Sequence, residues 1–169
     1  MKTLINEKHI LQKVKELGKQ INNDYKNKNP ILVGVLKGAF IFMADMLREI
    51  TIPVEVDFLS IHSYNGKESS GVVRITHDLS LNIEGRDVIL IEDIIDTGRT
   101  IRYIINNLKT RKPRSLAVCT LLNKEKNRVV EVSLTYVGFR IPNVFVVGYG
   151  LDYSNKYRNL KFIGVADGK

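Results

Sequence analysis

Apolar residues at Ile10, Val14, Leu17 and Ile21 recur at helical spacing and predict an amphipathic helix ending before Asn29-Pro30, because a residue ahead of proline is driven out of the helical region. Beyond that proline the pattern changes to short, continuous apolar runs. Ile31–Leu36 predicts a strand, Lys37-Gly38 breaks it, and residues 39–50 predict a largely buried helix containing Phe40, Met43 and Leu47. Residues 54–61 predict another strand. The polar, glycine-bearing stretch 62–71 predicts a mobile loop before a strand over 72–76. Strands are expected at 88–92 and 115–122, with Ile101, Ile104, Ile105 and Leu108 at helical spacing between them. Short strand pieces at 136–139, 144–147 and 162–166 complete the series. Strands and helices alternating in this order imply an α/β fold, a mostly parallel twisted sheet flanked by helices on both faces.

One junction in this pattern carries unusual chemistry. The buried run Val88 to Ile91 leads straight into Glu92 and Asp93 and then into Asp96-Thr97-Gly98-Arg99-Thr100, where the next helix begins. In open α/β sheets ligands bind at the carboxyl ends of the strands, and the free N–H groups of a helix start favour an anion. Asp96, Thr97, Gly98, Arg99 and Thr100 can supply hydroxyls, backbone N–H groups and close backbone approach to one phosphate. Adjacent acids make poor phosphate ligands. Glu92 and Asp93 can instead accept hydrogen bonds from vicinal ribose hydroxyls or help hold a divalent cation. The junction has the glycine pattern neither of a dinucleotide-binding turn nor of a P-loop.

Composition narrows the setting. At 169 residues and 44% apolar content the chain suits a single domain over 1–169 with a substantial core. The one cysteine, Cys119, lies in an apolar strand-like run, so it excludes an internal disulfide and reads as packing, which suits a reducing cytoplasm. No apolar stretch approaches the ~20 residues needed to span a bilayer and no signal-peptide pattern opens the chain, so a soluble protein with no membrane partner is expected. The net charge of +8 favours anionic partners without separating nucleotides from nucleic acid. Its densest stretch, Lys109-Thr-Arg-Lys-Pro-Arg114, reads as a solvated helix end, where cations favour the helix dipole, and no nucleic-acid partner is expected from it.

The run from Val88 to Thr100 resembles the 5-phosphoribosyl-1-pyrophosphate (PRPP) signature of the type I phosphoribosyltransferases, and its Glu-Asp-Ile-Ile-Asp-Thr-Gly form is most similar to the 6-oxopurine branch. Four further segments extend the resemblance along nearly the whole chain. It implies a type I phosphoribosyltransferase fold, with a core of about 30–140 and a small hood formed by the N- and C-terminal segments. It places Glu92, Asp93, Asp96, Thr97, Gly98, Arg99 and Thr100 on PRPP and its 5′-phosphate, and Lys37, Gly38 and Arg158 on pyrophosphate. Ser63 and Tyr64 match a pair on a lid that closes over the ribose. Lys124 matches a lysine that donates to the exocyclic oxygen of the base. Phe145 stacks on the purine, the Val146 backbone meets its Watson–Crick edge, and Ile94 and Asp152 complete the purine site. Asp96 is the implied general base, and Glu92, Asp93 and Asp152 are the implied contacts to Mg2+.

The resemblance therefore implies a cytoplasmic, Mg2+-dependent salvage transferase that converts hypoxanthine or guanine plus PRPP to IMP or GMP plus pyrophosphate, as a homodimer or homotetramer. Two alternatives stay open on the sequence: a xanthine-preferring transferase, and an RNA-binding pyrimidine attenuation regulator on the same scaffold. Departures from the family pattern are small. Arg99 occupies a variable loop position, and Gly150 stands where a slightly larger small residue is also found.

Overall fold

The computed structural model describes residues 1–63 and 73–166. Its centre is β5 (Asp87–Ile95), where Val88, Ile89, Leu90 and Ile91 are all fully buried, as a strand covered on both faces requires. It lies between β2 (Ile31–Leu36) and β6 (Ser115–Asn123) in a six-stranded sheet. β3 (Glu55–Ser63) follows β2, β7 (Tyr136–Arg140) follows β6, and β4 (Val73–His77) closes one edge as the antiparallel member. Every other pairing is parallel. The mostly parallel α/β sheet read from the sequence is the fold observed.

Side-chain alternation divides the core between the two faces. Leu32, Ile89, Ile91, Cys119 and Leu121 face the layer of α1 (Glu7–Asp24) and α2 (Phe40–Glu49). Ile31, Val33, Val88, Leu90 and Val118 face α3 (Arg99–Thr110), which contributes Ile101, Ile104 and Leu108. The predicted apolar stripe of α1 is buried as expected, and Asn6 caps the helix by accepting the His9 N–H at 2.9 Å. Cys119 is fully buried packing, and burial pushes its thiol well up.

Several elements differ from the pattern reading. Phe40 opens α2 and is 43% exposed, and Leu47 is only partly buried; Met43 is buried as expected, with Phe42 and Met46 beside it in the core. β5 runs on past 92 to Ile95, so Asp93 as well as Glu92 belongs to the strand, with Glu92 opposite Thr120 and Ile94 opposite Leu122 of β6. Of 144–147 only Val146–Val147 is a strand, β8, because the Val144 N–H turns back to the Pro142 carbonyl at 2.9 Å. β8 joins β9 (Ile163–Val165) and a strand that periodicity did not reveal, β1 (Lys2–Ile5), in a second, antiparallel sheet of order β1-β9-β8. No helix among the described residues is long and apolar enough to cross a membrane.

Candidate active site

Two adjoining cavities open at the carboxyl end of β5. The first, of about 240 Å³, is lined by Leu36, Gly38, Glu92, Asp93, Thr97 and Thr100, among others. Its floor turns sharply into α3. Gly98 adopts a left-handed φ of 85°, and a Cβ there would collide with the Val130 carbonyl, so only glycine combines that turn with that contact. The Thr97 carbonyl accepts the N–H groups of Val129 (2.9 Å) and Val130 (3.0 Å), which fixes the loop against the segment after β6. Thr97 and Thr100 thus face a cavity at a helix start, the arrangement suited to a phosphate. Arg99 is exposed and lines neither cavity.

The second cavity, of about 350 Å³, shares Gly38, Asp93, Ile94 and Asp96 with the first and adds Lys37, Lys124, Phe145, Val146, Asp152 and Arg158. Lys124 directly follows β6, and its side chain is only 8% exposed, with Nζ 3.2 Å from Asp96 Oδ2. A lysine in an ordinary solvated loop would not be buried in this way. Phe145 precedes β8, is 41% exposed, and packs edge-on against Tyr153 with centroids 5.7 Å apart, which leaves ring surface for a flat ligand. Tyr149 is instead packing: it is buried and its hydroxyl donates to Asp45 at 2.6 Å.

Backbone approach shapes the wall that the cavities share. A Cβ on Gly38 would collide with the Asp93 carboxylate, and one on Gly150, at φ 98°, would collide with the Gly38 carbonyl. Gly150 is therefore more constrained here than a position open to a slightly larger residue. Arg158 closes the far side, with Nη2 2.7 Å from Asp152 Oδ1 and Nη1 donating to the Gly150 carbonyl at 2.7 Å. The second Asp152 oxygen accepts the Asn155 N–H at 2.8 Å.

Burial governs the acids. It pushes Glu92 well above the usual carboxylate range, reinforced by the neighbouring Asp93 charge. It also raises Asp93 to about 6, against hydrogen bonds from backbone N–H groups and the attraction of Arg158. Among the described residues no three His, Cys, Asp or Glu side chains form a closed metal cage. The donor set nevertheless fits a magnesium ion, which binds through one or two carboxylates plus substrate oxygens and would offset the burial and the lesser mutual repulsion that raise these groups.

The Asp93 shift sets a stability prediction. Below the usual 3.8 the group is protonated whether the chain is folded or unfolded; above it the unfolded chain ionises first, so stability falls as pH rises and levels off above about 6. Asp93→Asn should therefore be more stable than the parent at pH 7.5 in the absence of metal and PRPP, by on the order of 1–2 kcal/mol, with the gap narrowing near pH 4. Thermal melts at the two pH values check this. A parent more stable than the variant at pH 7.5 would contradict it.

Of the residues singled out by sequence, all but three stand at these cavities. Arg99 faces solvent, Tyr64 lies outside the described residues, and Ser63 is described only as the last backbone position of β3. Asn127 was missed: its Nδ2 donates to Asp96 Oδ1, a contact whose only sequence trace is its place one turn after Lys124.

Comparison with known proteins agrees with this geometry. The phosphoribosyl transferase domain model matches residues 2–154. A hypoxanthine-guanine phosphoribosyltransferase of Streptococcus pyogenes is 48% identical over 165 residues, covering 97% of this chain and 92% of that protein. The bifunctional protein TilS/HprT of Listeria monocytogenes is 50% identical over 165 residues, but this chain spans only 26% of its length. The crystal structure of a hypoxanthine-guanine phosphoribosyltransferase from Bacillus anthracis superposes with a TM-score of 0.94 at 44% identity, covering 98% of both chains. With its PRPP-like loop, its neighbouring base-sized cavity and near full-length similarity all in agreement, the chain belongs to the phosphoribosyltransferase family, in its hypoxanthine-guanine branch.

Proposed function

We propose that this chain transfers the 5-phosphoribosyl group of PRPP to hypoxanthine or guanine, forming IMP or GMP and pyrophosphate. The observation that carries the reading is the pair of cavities that share Asp93 and Asp96, one walled by Thr97 and Thr100 and the other by Lys124 and Phe145. Placed across that shared wall, a substrate has its 5′-phosphate at the α3 start and its anomeric carbon near the acids, with the base against Phe145. The bond from the anomeric carbon to the pyrophosphate oxygen breaks as the purine N9 bond forms, and the proton on N7 passes to Asp96. Glu92 and Asp93 orient the ribose and offset the positive charge that develops on it. Lys37, the Gly38 backbone and Arg158 receive the pyrophosphate. Glu92, Asp93 and Asp152 would hold Mg2+, which would supply charge neutralisation for the leaving pyrophosphate.

The same reading makes residues 1–169 one domain with a core of about 30–140. The small sheet of β1, β9 and β8 is its hood, supported by Val146 of β8 on the cavity wall. It assigns a cytoplasmic setting and a homodimer or homotetramer as the working unit.

Base recognition supplies the experiment. Lys124 has donors and no acceptor, so it suits a 6-oxo group and opposes the adenine amino group. Lys124→Gln should lower kcat/KM for hypoxanthine and guanine more than for adenine, because a glutamine amide can present its oxygen to the amino group. Phe145→Ala should cost ~1–3 kcal/mol of binding for every base and keep their ranking, because stacking is indifferent to base identity. Equal losses for all three purines in Lys124→Gln would remove Lys124 from base selection.

A further inference from the structure

Asp96 is held at both carboxylate oxygens by donors from a single turn. The 3₁₀ turn Glu125–Asn127 begins after Lys124 and ends at Asn127, whose N–H donates to the Lys124 carbonyl at 3.1 Å. Lys124 Nζ meets Asp96 Oδ2, and Asn127 Nδ2 meets Asp96 Oδ1. A carboxylate only accepts, so the Asn127 amide must present its NH₂ group inward. Its own carbonyl oxygen accordingly accepts from Asn143 Nδ2 at 3.3 Å, which fixes that orientation from outside.

The two donors differ in what a purine can do to them. Lys124 is a cation on a long stem, drawn to a 6-oxo group when one enters the cavity it already lines. Asn127 is a short neutral amide at the C-terminal end of the turn and stays on Oδ1. We propose that Asn127 is a positioning residue: it keeps the Asp96 carboxylate aimed while a 6-oxopurine withdraws Lys124 and frees Oδ2 to accept the N7 proton. This rests on the reading under Proposed function. It adds a source of specificity, because the amino group of adenine does not attract Lys124 and so leaves Oδ2 occupied. Recognition of the 6-oxo group and availability of the proton acceptor become one event.

A double-mutant cycle of Asn127→Ala and Asp96→Asn tests this, with kcat and KM measured for hypoxanthine and PRPP in the presence of magnesium and a thermal melt for each variant. Asn127→Ala should lower kcat about 10- to 100-fold, the worth of one charge-assisted hydrogen bond felt in the transition state, with KM for PRPP unchanged. Added to Asp96→Asn it should cause no further loss, because the group it positions is already disabled. Asn127→Asp keeps the shape, removes the donor and should reproduce the loss without truncation. Unchanged kcat in Asn127→Ala, or losses that multiply in the double variant, would overturn the positioning role while leaving the proposed reaction intact. Parent-like turnover in Asp96→Asn alone would instead overturn the reading beneath it.

Discussion

Asp96→Asn should lower kcat with hypoxanthine by about 10²–10⁴-fold, the range for a lost general base, while PRPP affinity changes far less. The substitution preserves shape but removes the charge and the basic oxygen at the wall between the cavities. It also leaves the buried Lys124 ammonium without its anion, so some stability is lost as well. That second effect is separable, since a melting curve reports it in the absence of substrate. A folded variant that turns over at the parent rate would exclude Asp96 as the proton acceptor.

Gly38→Ala should be comparably damaging through geometry alone. The added methyl would occupy the position of the Asp93 carboxylate, and retreat of the backbone is blocked because the Gly38 carbonyl packs under Gly150. Either Asp93 leaves the cavity or the loop moves away from the pyrophosphate position, and misplacement by an ångström costs on the order of 10²-fold. The expected result is a fall in kcat/KM for PRPP of at least that size, in a protein whose far-ultraviolet circular dichroism is unchanged. Parent-like kinetics would mean that the close approach of Gly38 to Asp93 has no part in catalysis.

The parallel sheet was legible because a strand covered on both faces must be apolar throughout, as Val88 to Ile91 are, and because the helix stripes keep their period. The small antiparallel sheet was not legible from periodicity. β1 has four residues, only Ile5 of them buried, and β8 has two, so neither is long enough for a pattern to repeat. At the site, the acids and threonines around β5 and α3 announced themselves by clustering in sequence. The burial of Lys124 did not, because the two residues that follow it, Glu125 and Lys126, are both exposed, and the carboxylate that pairs with it is 28 positions away. Asn127 was hidden for the same reason. By periodicity alone Phe145 is an ordinary strand residue, and it was the resemblance that placed it on the purine; β8 starts one residue later and leaves its ring at the cavity.

The proposed reaction joins PRPP to a 6-oxopurine across the paired cavities. It is tested most directly by incubating the full chain with PRPP and magnesium and, separately, hypoxanthine, guanine, xanthine, adenine and uracil, with nucleotide and pyrophosphate release followed together. IMP and GMP should form in step with one pyrophosphate each, with adenine and uracil far slower. Absence of nucleotide from either hypoxanthine or guanine, or turnover of uracil matching that of the purines, would contradict it.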